Sequence, residues 1–211
     1  MSEPLRVQGA GAAGLKPLPD SAPATDGGAF APMAEGAGER PVFLVGMMGA
    51  GKTTIGRSLA KELGREFVDL DLALEARCGV PVAVIFDIEG EAGFRKRETQ
   101  LLEELSRRPG IVLATGGGAV LAADNRRYLK ERGTVVYLRA EADELYRRLA
   151  RDKQRPLLQT ADPRARLAEL LALRKPLYEE VAHLAFDTGA MPVTQAVSRL
   201  TAQLKAYEEK A

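Results

Sequence analysis

The chain has 211 residues, 30 Lys plus Arg against 29 Asp plus Glu for a formal charge of +1, and 45% of it is hydrophobic. Near neutrality leaves no electrostatic footprint for nucleic acid or an anionic membrane, and the length and apolar share suit one core-forming domain with something appended. The one cysteine, Cys78, excludes an intrachain disulfide, and the one histidine, His183, is too distant in sequence to suggest a Cys–His pair, so both are expected to be structural.

Residues 1–38 read as a disordered Ala/Gly/Pro-rich tail without apolar periodicity. They hold no unbroken apolar run for a signal peptide, and Glu3, Asp20, Asp26 and Glu35 outnumber the bases, against a transit peptide. The expected location is the cytoplasm. Gly9-Ala10-Gly11-Ala12-Ala13-Gly14 satisfies a dinucleotide-binding pattern, but no strand precedes it and it carries no site. The most apolar stretch, 110–123, is too short and too rich in glycine to span a bilayer.

From residue 39 to 211 a single domain is expected. Apolar runs at 41–45, 66–70, 110–115, 134–138 and 184–187 read as strands. Between them, Ile55, Leu59 and Leu63 recur at helical spacing, with Gly64 as C-cap. Glu98, Leu101, Leu102 and Leu105 mark a second helix, Leu145 and Leu149 a third, and Leu167, Leu170 and Leu171 a fourth opened by Asp162-Pro163. Val193, Val197, Leu200 and Leu204 form the last. Strands alternating with helices imply a parallel sheet covered on both faces, with ligands at the C-terminal ends of the strands.

Directly after the first strand comes Gly46-Met47-Met48-Gly49-Ala50-Gly51-Lys52-Thr53-Thr54, a GxxxxGK[ST] loop followed by a helix. Its backbone N–H groups and the helix N-terminus are suited to phosphate. Lys52 is expected to reach the β- and γ-phosphates of ATP and Thr53 to ligate Mg2+. Asp69 and Asp71 follow the second strand, and alternation along an extended segment would point both toward the active-site end. The segment "EAGFRKRET" (91–99) gathers Arg95, Lys96 and Arg97, a cluster that is either a solvated face or an anion site. A second basic run, Arg147, Arg148, Arg151, Lys153 and Arg155, precedes the fourth helix and would be relieved by a bound triphosphate.

These pieces, with Thr115-Gly116-Gly117-Gly118, "RPLL" (155–158) and "RKPLY" (174–178), resemble the shikimate kinase family in order and spacing over about residues 41–205. The resemblance implies a three-layer α/β P-loop fold of the nucleoside-monophosphate-kinase type, with a central five-stranded parallel sheet and a mobile lid at about 150–162. It implies transfer of the γ-phosphate of ATP to the 3-hydroxyl of shikimate. Asp71 is then the acid at the shikimate hydroxyls and Asp69 the one orienting magnesium-bound water. Arg95 and Arg174 clamp the substrate carboxylate, in a substrate segment of about 70–98, and Gly116, Gly117 and Gly118 bring backbone against the substrate. Arg155 bridges donor and acceptor, Arg148 lies against adenine, and Gly49, Ala50, Gly51, Lys52, Thr53 and Thr54 hold the phosphates. A monomer is implied too. Arg95 then awaits a carboxylate, while Lys96 and Arg97 remain open to the solvated-face reading.

Residue types alone leave two alternatives open. One is another small-metabolite P-loop kinase, such as one for gluconate, since that acceptor is also a carboxylated polyol. The other is a nucleotide-binding regulator without turnover, which should have lost part of this constellation. The loop at 187–192 offers no arginine for adenine where some family members have one.

Overall fold

A computed structural model describes residues 40–149, 160 and 162–210. The tail, most of the lid, Arg155 and the "RPLL" segment lie outside the described residues. Five strands, β1 (Val42–Val45), β2 (Glu66–Asp69), β3 (Ile111–Ala114), β4 (Thr134–Arg139) and β5 (Leu184–Asp187), form one sheet in the order β2-β3-β1-β4-β5. Every pairing is parallel.

The strand interiors are apolar at successive positions because both sheet faces are covered. Val42 and Leu44 of β1 and Val136 and Leu138 of β4 enter one core, while Phe43, Val45, Val135 and Tyr137 enter the other. The first core is closed by α1 (Lys52–Leu63), α5 (Ala142–Leu149) and α7 (Val193–Glu208). The second is closed by α2 (Leu70–Cys78), α3 (Val82–Leu105) and α4 (Ala123–Arg132). The helix α6 (Pro163–Val181) serves both, with Leu167 and Leu170 on one side and Tyr178 and Val181 on the other.

Several helix ends follow the sequence signals. Gly64 caps α1 in the left-handed conformation, and the Asp162 carboxylate accepts from Ala165 N at the start of α6. The first surprise is α2. An extended segment was expected through Asp71, but β2 stops at Asp69 and the chain turns into helix at Leu70. Asp69 itself causes this, accepting from Asp71 N at 3.1 Å and Leu72 N at 3.4 Å as the N-cap. The second is the length of α3, whose first half carries no clear helical periodicity and which bends at Gly90 (φ 68°, ψ −177°), a backbone state that favours glycine.

Cys78 and His183 are structural, as expected. Cys78 is buried in the second core. The His183 Nδ1 accepts from Val135 N at 3.0 Å, extending the β4–β5 pairing. Burial, reinforced by the Arg40 and Lys130 charges, holds the imidazole below its ordinary pKa. The native state therefore binds this proton less readily than the unfolded chain does. Its contribution to stability is present above about pH 6.5 and is withdrawn as pH falls through the native pKa. Proton NMR of the one imidazole should give a midpoint below 6.5; a midpoint at or above that value would contradict the Val135 contact.

Candidate functional site

All five strands end on one edge, and a cleft of about 700 Å³ opens there. Its walls are the P-loop from Met48 to Ile55, Asp69, Asp71, Thr115, Gly117, Glu144, Arg148 and the loop Thr188–Met191.

The P-loop is held from below by apolar burial: Met47, Met48 and Ala50 are 1%, 7% and 0% exposed. Gly51 has φ 95° and begins α1 without a side-chain cap, so the first N–H groups of that helix are available to an anion. Lys52 Nζ donates to Gly46 O at 2.8 Å and Met47 O at 3.0 Å, holding the ammonium across the loop. Thr53 Oγ1 donates to Asp69 Oδ2 at 2.8 Å. These two oxygens are the hard donors magnesium takes, with most of its shell left to water and phosphate. Among the described residues no three His, Cys, Asp or Glu side chains gather as a cage. The donor set fits a hydrated ion shared with a nucleotide.

Asp71 reaches the cleft from the first turn of α2, where it stands directly after the capping Asp69 and Leu70. The turn at Gly116–Gly118 lies beside it. Glycine there keeps space clear for neighbouring side chains and adopts no unusual torsions, since none of the three has a positive φ. A Cβ on Gly116 would stand 2.7 Å from Glu98 Oε1 and 3.1 Å from Asp71 Oδ1, and one on Gly118 would stand 2.4 Å from Arg95 Nη2. Asn125 and Arg126 of α4 fasten the turn that follows, donating to Ala119 O at 2.9 Å and to Val120 O at 2.9 Å.

Arg95 is anchored by a residue that enters the sequence reading only as a periodic helix position. Glu98, 1% exposed, accepts from Arg95 Nη1 at 2.7 Å. Its Oε1 is buried without a hydrogen-bond partner, next to the glycine turn. Burial raises the Glu98 pKa first of all, the Arg95 charge pulls it back, and the Asp71 charge pushes it up. Glu91, largely exposed, takes the other side of the fork at 3.2 Å. Arg174 is 4% exposed on α6 and donates to Gly117 O at 3.3 Å. The two arginines therefore meet the glycine turn from different helices.

Arg97 does not lie on a solvated face. Its side chain is 10% exposed and forms a two-pronged pair with Glu89, both bonds 2.7 Å, across the bend at Gly90. Lys96 is exposed, as that reading expects. Arg148 spans the cleft wall between the P-loop and the Thr188–Met191 loop, donating to Gly49 O at 3.3 Å, Thr188 Oγ1 at 3.1 Å and Gly189 O. Glu144 pairs with both Arg147 and Arg148, so part of the second basic run is neutralised before any triphosphate arrives.

The model of the shikimate kinase family matches residues 48–205. The chain belongs to the shikimate kinase family. A shikimate kinase of Bordetella avium is 64% identical over 179 residues, covering 85% of this chain and 86% of that one. One from Ralstonia nicotianae is 59% identical over 164 residues, 78% and 86% of the two chains. Among solved structures, a shikimate kinase from Acinetobacter baumannii in complex with shikimate has a TM-score of 0.78 at 46% identity, covering 81% of this chain and 95% of that one. The five-stranded parallel sheet and P-loop are the expected fold of the family.

The bend in α3 puts Arg95 where it is, and the Arg97–Glu89 pair spans that bend. Arg97→Met keeps most of the side-chain volume but leaves the Glu89 carboxylate, 14% exposed, without this partner. The expected loss is about 3 kcal/mol of unfolding free energy, read by urea denaturation. An unchanged midpoint would return Arg97 to the surface.

Proposed function

We propose that this protein transfers the γ-phosphate of ATP to the 3-hydroxyl of shikimate, giving shikimate 3-phosphate and ADP for chorismate and aromatic amino-acid synthesis. The observation that carries this reading is the convergence on one glycine turn of Asp71, Arg95 and Arg174, beside the P-loop, in a member of this family. A regulator without turnover is disfavoured by the same convergence.

In this reading the P-loop amides and Lys52 hold the triphosphate, and Lys52 exchanges loop carbonyls for phosphate oxygens. Arg95 and Arg174 grip the acceptor carboxylate through planar forks, which fixes the reacting hydroxyl by holding the opposite end of the ring. Asp71 takes the hydroxyl proton as the acceptor oxygen bonds to the γ-phosphorus, and ADP leaves with the electrons of the broken P–O bond. Thr53 would hold magnesium and Asp69 a water bound to it. The ion would supply charge neutralisation at the phosphates. Arg148 and the Thr188–Met191 loop wall the adenine end, and Arg155 bridges donor and acceptor from the lid. Because little covalent help is needed, rate comes from positioning and charge. The domain at 39–211 works as a cytoplasmic monomer without the preceding tail.

The test is ADP release with MgATP and shikimate, gluconate or no acceptor. Release dependent on shikimate alone is expected. Release with gluconate instead would overturn the substrate, and silence with all three from ATP-binding protein would favour a regulator. Lys52→Ala should cost at least about a hundredfold in kcat, and near-normal turnover would remove the P-loop assignment.

Arg95 calls for a substitution that respects Glu98. Arg95→Ala would strand a buried carboxylate and confuse folding with binding. Arg95→Lys keeps a cation beside Glu98 and loses only the fork. Shikimate affinity should fall about 10- to 100-fold, roughly 1.4–2.7 kcal/mol, with ATP affinity retained. Unchanged shikimate binding would show that Arg95 is not the clamp.

A further inference from the structure

The last residue of the "RKPLY" segment, Tyr178, has no part in the reading above. It is 0% exposed, so its side chain offers no surface to a substrate. Its ring stacks on Tyr137 of β4, centroids 5.1 Å apart, which fixes the direction of the hydroxyl. That hydroxyl donates to Gly117 O at 2.5 Å, with Met47 Sδ of the P-loop 3.7 Å away. Arg174, one turn earlier on α6, donates to the same carbonyl at 3.3 Å.

We propose that Tyr178 is a positioning residue for the acceptor side of the reaction, acting through the Gly117 carbonyl. Two donors from one helix hold that carbonyl toward α6. In a planar trans peptide the N–H of Gly118 must then point away from α6. Rotation of this peptide would move the backbone of the turn and the Arg174 guanidinium together. Glycines cannot resist such rotation by themselves, because they have the widest torsional freedom of any residue. The Tyr178 hydroxyl supplies the resistance. Burial raises the phenol pKa, which keeps the hydroxyl a neutral donor. The Met47 contact extends the same anchorage to the P-loop, so donor and acceptor segments share one buried reference point.

The inference rests on the shikimate kinase reading, and the experiment separates the two. Wild-type protein must first show shikimate-dependent ADP release; without it the reading fails, whatever Tyr178 does. In Tyr178→Phe the ring and its stack on Tyr137 remain and only the hydroxyl is lost. The KM for shikimate should rise about three- to tenfold, the worth of one neutral hydrogen bond, while the KM for MgATP stays within about twofold by the same measure. A purely structural role would instead lower kcat or melting temperature and leave both KM values alone, and that result overturns the proposal. Gly117→Ala guards against a variant that does not fold. Its Cβ would stand 3.3 Å from Met48 N and 3.8 Å from Arg174 Nη1, disturbing the turn without touching the tyrosine stack. It should reproduce the rise in shikimate KM, and unchanged KM values there would also overturn the proposal.

Discussion

Everything in the site depends on the sheet being parallel and buried on both faces. A parallel sheet sends every strand end of one kind to the same edge, so five connections compete for one rim. The P-loop follows β1, the centre strand, with β3 and its glycine turn on one side and β4 on the other. Asp69 ends β2 and Thr188 follows β5 at the two outer edges. In the proposed reading, acceptor site, phosphate site and adenine wall thus line up across the sheet in the order of its strands.

The second constraint is charge. Functional cations placed in a partly buried cleft need partners before a ligand arrives, because an unpaired buried charge is costly. Lys52 rests on two P-loop carbonyls, Arg148 on Glu144 and the 189 carbonyl, and Arg174 on Gly117. Arg95 has one permanent and one exchangeable partner: buried Glu98 stays, while exposed Glu91 can yield to a ligand carboxylate. Each partner sets the position of the cation, so preorganisation and stability come from the same contacts. Binding then exchanges one set of hydrogen bonds for another, and little new ordering is required.

This explains which parts of the site were legible in the sequence. The P-loop was, because its phosphate function and its backbone geometry both demand glycine, and that demand is local. The five strands were, because burial on both faces makes short continuous apolar runs. Asp71 was found for a reason that does not hold: alternation along a strand, where Asp69 in fact caps a helix and turns the chain. Glu98 and Arg97 were missed as functional supports, since a charged residue at a buried helical position looks like surface until its partner is known. Their partners are Arg95, three residues back, and Glu89, eight residues back across a bend that only the Gly90 torsions reveal. Gly116–Gly118 was legible as a turn, but the need for glycine comes from side chains on α2 and α3, which no local pattern encodes.

The carboxylates beside that turn carry the last consequence of the packing. Glu98 Oε1 and Asp71 Oδ1 both stand within about 3 Å of where a single Gly116 Cβ would be. Burial raises the proton affinity of Glu98 first of all, and the nearby Asp71 charge adds to it. Arg95 opposes both effects through its bond to Glu98. The arginine that grips a substrate carboxylate in the proposed reading is therefore also the one that holds Glu98 beneath the glycine turn. A substrate carboxylate drawn to Arg95 would displace exposed Glu91 and leave the buried Glu98 bond in place, so the guanidinium keeps its orientation as the ligand arrives. Ligand grip and turn packing meet in one guanidinium, and that follows from burying Glu98 beneath a turn with no side chains.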